Sequence, residues 1–297
     1  MNIKAFAKIN LALKVLNQRD DGYHNIESIL LPLEMHDVIE IKIDNLAADD
    51  FVTCDDFCLK TVKYNLCHKV IDEARKKWGF TKKLRISIHK NIFIQAGLGG
   101  GSADAAATLI GIIKLFKIKP TKEELIDLSI KIGSDVPWSL FSQPAIIEQK
   151  GEKIDFINFK QQYYCLLVKP ATGLSTKEVF DKFDEIKLNN VSDNKKTIKE
   201  IANSLISCTS LKELNKICYN ELELPASKML PEIIDIKNKL IGLGFDFVQM
   251  TGAGSTVFAL TTNLNKAKQA EEYFSKNENY QIELTKTRVF NDLKREN

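Results

Sequence analysis

The chain has no run of about 18 apolar residues, so no membrane-spanning helix is expected. Its first residues lack the basic, apolar and small-residue succession of a secretory signal; Met1 to Leu11 read instead as an ordered strand. A cytoplasmic protein with no membrane partner is the expectation. Lysine and arginine are scattered rather than massed, and the formal net charge is +3, so no nucleic-acid partner is expected. None of the six cysteines forms a Cys-x-x-Cys pair. The nearest cluster, Cys54, Cys58, Cys67 and His68, has no zinc spacing, so the cysteines read as reduced thiols and no metal site is expected. No glycine run leads into Lys-Ser or Lys-Thr, which excludes a P-loop. Asp-Phe-Gly and His-Arg-Asp are both missing, which excludes a protein kinase. Internal repeats and low-complexity linkers are absent as well.

What is present is an ordinary globular composition, 44% hydrophobic and 27% charged over 297 residues, a length that suggests two domains. Residues 1–60 read as β-rich, with a turn at Asp20-Asp21-Gly22 and an alternating strand over 38–43. Asn65 caps a helix that stops at Gly79, and 84–89 alternates again. Thr121 with Glu124, and Ser175 with Glu178, form capping boxes. Beyond about residue 155 the pattern predicts a strand over 163–168 and helices near 195–207, 210–219 and 227–242. Strands near 245–249 and 256–261, a helix near 265–275 and a last strand near 280–288 complete an α+β mixture. The polar stretch 189–196 reads as a surface loop.

The most informative segment is Gly97-Leu98-Gly99-Gly100-Gly101-Ser102. It leads into a helix, over about 102–117, whose polar positions Asp104, Thr108 and Lys114 share one narrow stripe with Gly111. Such a helix is buried almost all round. Glycine lets a phosphate approach backbone N–H groups, and a helix N-terminus adds unpaired donors and partial positive charge. A tight strand-to-helix turn is the plainer alternative. Ser102 falls at or near the helix N-cap, where it could cap or contact a phosphate or Mg2+. Three further features carry two readings each. Lys8, inside an apolar strand run, either faces solvent or has a buried partner. Asp135, in Gly133-Ser134-Asp135-Val136-Pro137, is a turn residue or a working carboxylate. The run Thr251-Gly252-Ala253-Gly254-Ser255-Thr256 is a hairpin loop or part of a site.

Three segments together resemble the GHMP kinase superfamily: Ala7-Lys8-Ile9-Asn10-Leu11, Gly97 to Ala105, and Thr251 to Leu260. They stand in the family's order and spacing. The Asp21-Gly22-Tyr23-His24 run and the triple glycine point to the branch whose small-molecule substrate carries a cytidine diphosphate group. The resemblance implies a two-domain α+β fold. Residues 1–155 would form an N-terminal ATP-binding domain like the ribosomal-protein S5 domain 2-like fold, and 156–297 a ferredoxin-like α/β domain. It implies ATP as phosphoryl donor, with Mg2+ but no dedicated protein cage for it, and transfer to the 2-hydroxyl of a methylerythritol moiety. Lys8 and Asp135 match the catalytic positions. Lys90 and Asn65, with Gly97, Leu98, Gly99, Gly100, Gly101 and Ser102, match the nucleotide side. Asn10, Tyr23, His24, Thr176, Phe180, Gly252 and Gly254 match the substrate side, with Tyr23 and Phe180 as opposite stacking faces for cytosine. A monomer or weak homodimer is expected. The chain departs from the family pattern at Phe93, where proline is usual, at Gln95 and Ala96, where glycine is common, and at Trp138-Ser139-Leu140. Other readings within the same superfamily are a homoserine or mevalonate type of kinase, or a non-catalytic ligand sensor.

Overall fold

The computed structural model describes residues 1–56, 64–187, 196–207 and 210–289. Cys58, Cys208 and nearly all of the polar stretch 189–196 lie outside these residues.

One compact unit comprises Met1–Ala7, Met35–Ile92 and Gly99–Ser142. It takes the first residues of β1 (Asn2–Gln18) and the last residues of β2 (His24–Asp44). Strand β3 (Phe51–Cys54) lies parallel to β4 (Lys83–His89), which pairs antiparallel with β2 from Val38 to Asp44. Helix α1 (Leu66–Trp78) starts and stops where its caps dictate. The Asn65 side chain accepts from the backbone N–H of Cys67 and His68, His68 returns the bond, and Gly79 closes the helix in a left-handed conformation. Arg75, Lys76 and Lys77 in its last turn oppose the helix dipole. Helix α2 (Gly100–Phe116) packs beside α1 and is buried along most of its length, as its composition requires. It comes so close to β2 at Gly111 that a Cβ there would lie 2.7 Å from Ile41 Cγ2. Helix α3 (Lys122–Ile132), boxed by Thr121 and Glu124, ends at Gly133, and the short α4 (Val136–Ser139) follows.

The second unit comprises Lys8–Glu34, Phe93–Leu98 and Gln143–Asn297. Strand β5 (Ala145–Gln149) pairs antiparallel with β2 from Ile26 to Leu30, and β6 (Lys153–Phe156) continues that sheet. The sequence pattern gave no sign of these two strands. A separate antiparallel sheet holds β7 (Tyr164–Pro170), β8 (Phe247–Met250), β9 (Val257–Thr261) and β10 (Tyr280–Lys286) in the order β10-β7-β9-β8. Helices α5 (Thr176–Lys187), α6 (Ile198–Ile206), α7 (Leu211–Ile217), α8 (Glu223–Met229) and α9 (Glu232–Gly242) follow β7, and α10 (Leu264–Ser275) follows β9. A fourth-first-third-second strand order with helices after the first and third strands is the ferredoxin-like arrangement. Leu166, Val168, Val179, Ile233, Ile236, Val257 and Phe274 form its core, removed from water at about 25 cal/mol per Å2 of apolar surface.

One helix boundary needs correction. Residues 227–242 were expected as a single helix, but they split between α8 and α9 at Leu230-Pro231. Proline has no N–H for the preceding turn and disfavours helical geometry in the residue before it. Leu230 accordingly sits at φ −135°, ψ 86°.

Candidate active site

The glycine segment is not a loop ahead of a helix; most of it is the helix start. Gly99 is the N-cap in a left-handed conformation, and the first α-helical bond runs from Ala103 N–H to the Gly99 carbonyl at 2.9 Å. Ser102 is therefore the third helical residue rather than the cap, which corrects the sequence expectation. With glycine at the cap, no side chain among the described residues satisfies the first-turn donors of Gly100, Gly101 and Ser102. The fold itself favours glycine at one of these positions, Gly100. A Cβ on Gly100 would lie 3.0 Å from Ile92 Cγ2 and 3.3 Å from Lys90 Nζ. Among the described residues a Cβ on Gly101 would meet only Leu66 Cδ1, at 3.8 Å, so none of them requires glycine there.

Beneath α2's first turn lies a buried charge cluster. Lys90 Nζ sits 2.5 Å from Asp37 Oδ2 and 2.9 Å from Asp104 Oδ2. Lys90 was expected at the nucleotide; its ammonium is instead taken up by two carboxylates under the helix start. Burial opposes that charge, but Asp104 and Asp37 outweigh it and hold the Lys90 pKa above its ordinary range. Asp37 also accepts the Asn91 and Ile92 N–H groups at 2.6 and 2.8 Å, whereas Asp104 Oδ1 is buried with no partner among the described residues. Burial pushes the Asp104 carboxyl up to about 7, with Lys90 pulling the other way and Asp37 adding to the rise. The folded state therefore holds this proton more tightly than an unfolded aspartate, whose ordinary value is 3.8. The group's contribution to stability is complete below that value, declines as pH rises, and is gone above about 7. Asp104→Asn cannot ionise and is expected to flatten this slope. Denaturant midpoints of both proteins from pH 4 to 8 check it, the wild type losing stability relative to the variant up to about pH 7.

Lys8, in β1, is buried at 5% exposure, which excludes the solvent-facing reading. Its Nζ donates to Asn10 Oδ1 at 2.6 Å and to the Gly97 carbonyl at 2.8 Å. Asn10 is held in turn: its N–H donates to Thr251 Oγ1, and its Nδ2 donates to Ser28 Oγ. Thr251 Oγ1 lies 3.2 Å from the Gly97 carbonyl. Gly252 and Gly254 pack inward. A Cβ on Gly252 would meet the Gly97 carbonyl at 3.1 Å, and one on Gly254 would meet Met250 Sδ at 2.8 Å. The Gly252 carbonyl also accepts from Asn220 Nδ2 at 2.8 Å. The 251–256 loop thus braces Gly97. Gln95, where the family favours glycine, has φ +52°, and Gly173 leaves room for it, since a Cβ there would be 2.7 Å from Gln95 Oε1.

Around β2's start, His24 stacks on Phe180 of α5 at 5.0 Å and 20° between ring planes, and its Nε2 lies 2.9 Å from Asp184 Oδ1. Phe180 thus pairs with His24. Tyr23 is exposed, with Lys150 Nζ 3.3 Å from its ring centre, and Thr176 is exposed at the first turn of α5. Asp184 and Lys150 were not singled out from sequence, because their partners lie far along the chain. Asn65 spends its side chain on the α1 cap. Asp135 is half-buried at the start of α4 and makes no side-chain cap bond.

Two family models match this chain, GHMP kinases N terminal domain over residues 65–143 and GHMP kinases C terminal over residues 197–279. The chain belongs to the GHMP kinase family. Among its relatives, 4-diphosphocytidyl-2-C-methyl-D-erythritol kinase of Clostridium tetani is 35% identical over 258 residues, 87% of this chain and 90% of the relative. The protein of the same name from Carboxydothermus hydrogenoformans is 36% identical over 270 residues, 91% of each chain. Among solved structures, 4-(cytidine 5'-diphospho)-2C-methyl-D-erythritol kinase matches with a TM-score of 0.78 at 24% identity, over 97% of this chain and all of that one. The L. major mevalonate kinase crystallised with R-mevalonate matches with a TM-score of 0.71 at 14% identity, over 97% of this chain and 96% of that one. These likenesses establish the α+β GHMP kinase fold expected from the sequence.

Proposed function

We propose that this chain transfers the γ-phosphoryl group of ATP to the 2-hydroxyl of 4-diphosphocytidyl-2-C-methyl-D-erythritol, a step of non-mevalonate isoprenoid precursor synthesis. The names of the relatives support the substrate, and the start of α2 supports the chemistry. The observation that carries most weight is Gly101. Glycine inside a helix costs about 1 kcal/mol relative to alanine, yet no contact with the described residues calls for it. An approaching phosphate does call for it, because a Cβ would stand between the ligand and the uncapped N–H groups. Gly101→Ala is therefore expected to melt at or slightly above the wild-type temperature while raising KM for ATP roughly tenfold or more, about 1.4 kcal/mol. An unchanged KM would remove the phosphate from this helix. Coupled ADP detection with the cytidine-diphosphate substrate, homoserine and mevalonate separates the three kinase readings.

In this reading the Gly99–Ser102 backbone holds the donor, and Lys90, Asp37 and Asp104 keep that backbone in place. Asp135 accepts the acceptor hydroxyl's proton. Phosphoryl transfer passes through a loose transition state, so a weak carboxylate base that takes the proton late is sufficient. Lys8, fixed by Asn10 and Gly97, contributes positive charge near the developing oxyanion. His24 and Phe180 recognise the cytosine, with Tyr23 and Thr176 at the margin of that region. Mg2+ would be held by the nucleotide phosphates rather than by a dedicated protein cage, a common mode for an ion that keeps several waters. The proposed N-terminal domain is residues 1–155 and the C-terminal one 156–297, a division by sequence that differs from the two compact units, since Lys8–Glu34 and Phe93–Leu98 belong to the second unit.

A further inference from the structure

We propose that Asp184 is a positioning residue that fixes the tautomer of His24 and thereby selects cytosine over uracil. The inference rests on the kinase function proposed above. His24 is nearly buried, its side chain 5% exposed, and its ring is held on two sides by Phe180, stacked at 5.0 Å, and Phe183, edge-on at 6.3 Å. The ring cannot turn over without breaking that stack. Its Nε2 lies 2.9 Å from Asp184 Oδ1, and a carboxylate can only accept a hydrogen bond. Nε2 therefore carries the hydrogen. In the neutral ring the other nitrogen, Nδ1, is then an acceptor, and among the described residues Nδ1 has no partner.

A fixed acceptor in a nearly dry setting is a chemical filter. Cytosine offers an exocyclic amino group, a donor, where uracil offers a carbonyl oxygen, an acceptor. The amino group satisfies Nδ1; the carbonyl meets it lone pair to lone pair. Sites built to pair with one polar group reject analogues that lack it far more strongly than apolar pockets reject a change of shape. Without the carboxylate, the imidazole is free to place its hydrogen on Nδ1, and the preference would fade. Asp184 stands on α5, one turn beyond Phe180, so one helix supplies both the stacking face and the tautomer control.

The test compares wild type with Asp184→Ala, whose lost side chain is 42% exposed and leaves no buried void. Two measurements are needed. The 15N signals of the His24 imidazole, recorded where the ring is neutral, are expected to show Nε2 protonated and Nδ1 bare in the wild type, and a mixed or reversed pattern in the variant. Inhibition constants for CMP and UMP against the cytidine-diphosphate substrate are expected to favour CMP in the wild type, and the ratio is expected to fall about tenfold or more in the variant. A protonated Nδ1 in the wild type, or equal CMP-to-UMP ratios in the two proteins with phosphorylation intact, would overturn the role of Asp184. Failure of the wild type to phosphorylate the cytidine-diphosphate substrate would instead overturn the kinase reading, and this inference with it.

Discussion

Asp135→Ala is expected to lower kcat by at least ~10² while leaving the melting temperature and the KM for ATP near their wild-type values. An aspartate at a helix start commonly caps it, and removing such a cap costs about 0.5–2 kcal/mol. Here the Asp135 side chain makes no cap bond to α4. Its backbone carbonyl accepts from Ser139 N–H at 3.1 Å and from Ser139 Oγ at 2.8 Å, and alanine keeps that carbonyl. Val136, Pro137 and Trp138 remain buried and continue to anchor the turn. What alanine removes is a carboxylate held on a rigid turn, which the proposed reaction uses to align the hydroxyl and take its proton. Asp135→Asn should fall nearly as far, because an amide aligns but cannot accept a full proton. Steady-state turnover with coupled ADP detection, alongside thermal melts, checks this; near-wild-type kcat in the alanine variant would remove Asp135 from the chemistry.

Much of this site was legible because its signals are local. Asn65 and Gly79, or Thr121, Glu124 and Gly133, announce helix ends through neighbours three or four residues away, and the structure places those ends there. The glycine segment and Asp135 were visible for the same reason. What was not legible depends on partners far along the chain. A lysine within a strand ordinarily faces water, and nothing near Lys8 in the sequence announces the Gly97 carbonyl, 89 residues on, that accepts from it. Lys90 looked like a ligand-facing cation until Asp37, 53 residues before it, closed on it. His24 carries no sign of Asp184, which lies 160 residues away. Ser102 was misplaced by three residues for a different reason: three glycines suggest a loop by propensity, but tertiary packing of a buried helix overrides propensity at its first turn. The break at Pro231 should have been foreseen from the residue alone, since the apolar spacing hid a proline whose backbone rule is strict.

Gly97→Ala is expected to be the most damaging single methyl group in the chain. Two costs coincide there. Gly97 has φ +71°, a left-handed conformation that costs a residue with a Cβ about 1–2 kcal/mol. The new Cβ would also lie 2.1 Å from the Thr251 carbonyl oxygen and 3.2 Å from the Gly254 nitrogen. Both are backbone atoms, so no side chain can swing away, and one loop must shift against the other at a further cost of about 1–3 kcal/mol. Gly22 supplies the control: its φ is +80°, but a Cβ there would meet nothing within 4 Å. Gly22→Ala should therefore cost only the conformational part, and the difference between the two variants in denaturant midpoint measures the close approach alone. Function should fall with stability at Gly97 and not at Gly22. The Gly97 carbonyl accepts from Lys8 Nζ and Thr251 Oγ1, so a shifted loop leaves a buried ammonium short of an acceptor, and turnover of the protein that remains folded should drop as well. Equal destabilisation by the two alanines would show that backbone conformation, rather than the contact with Thr251, is what the glycine serves.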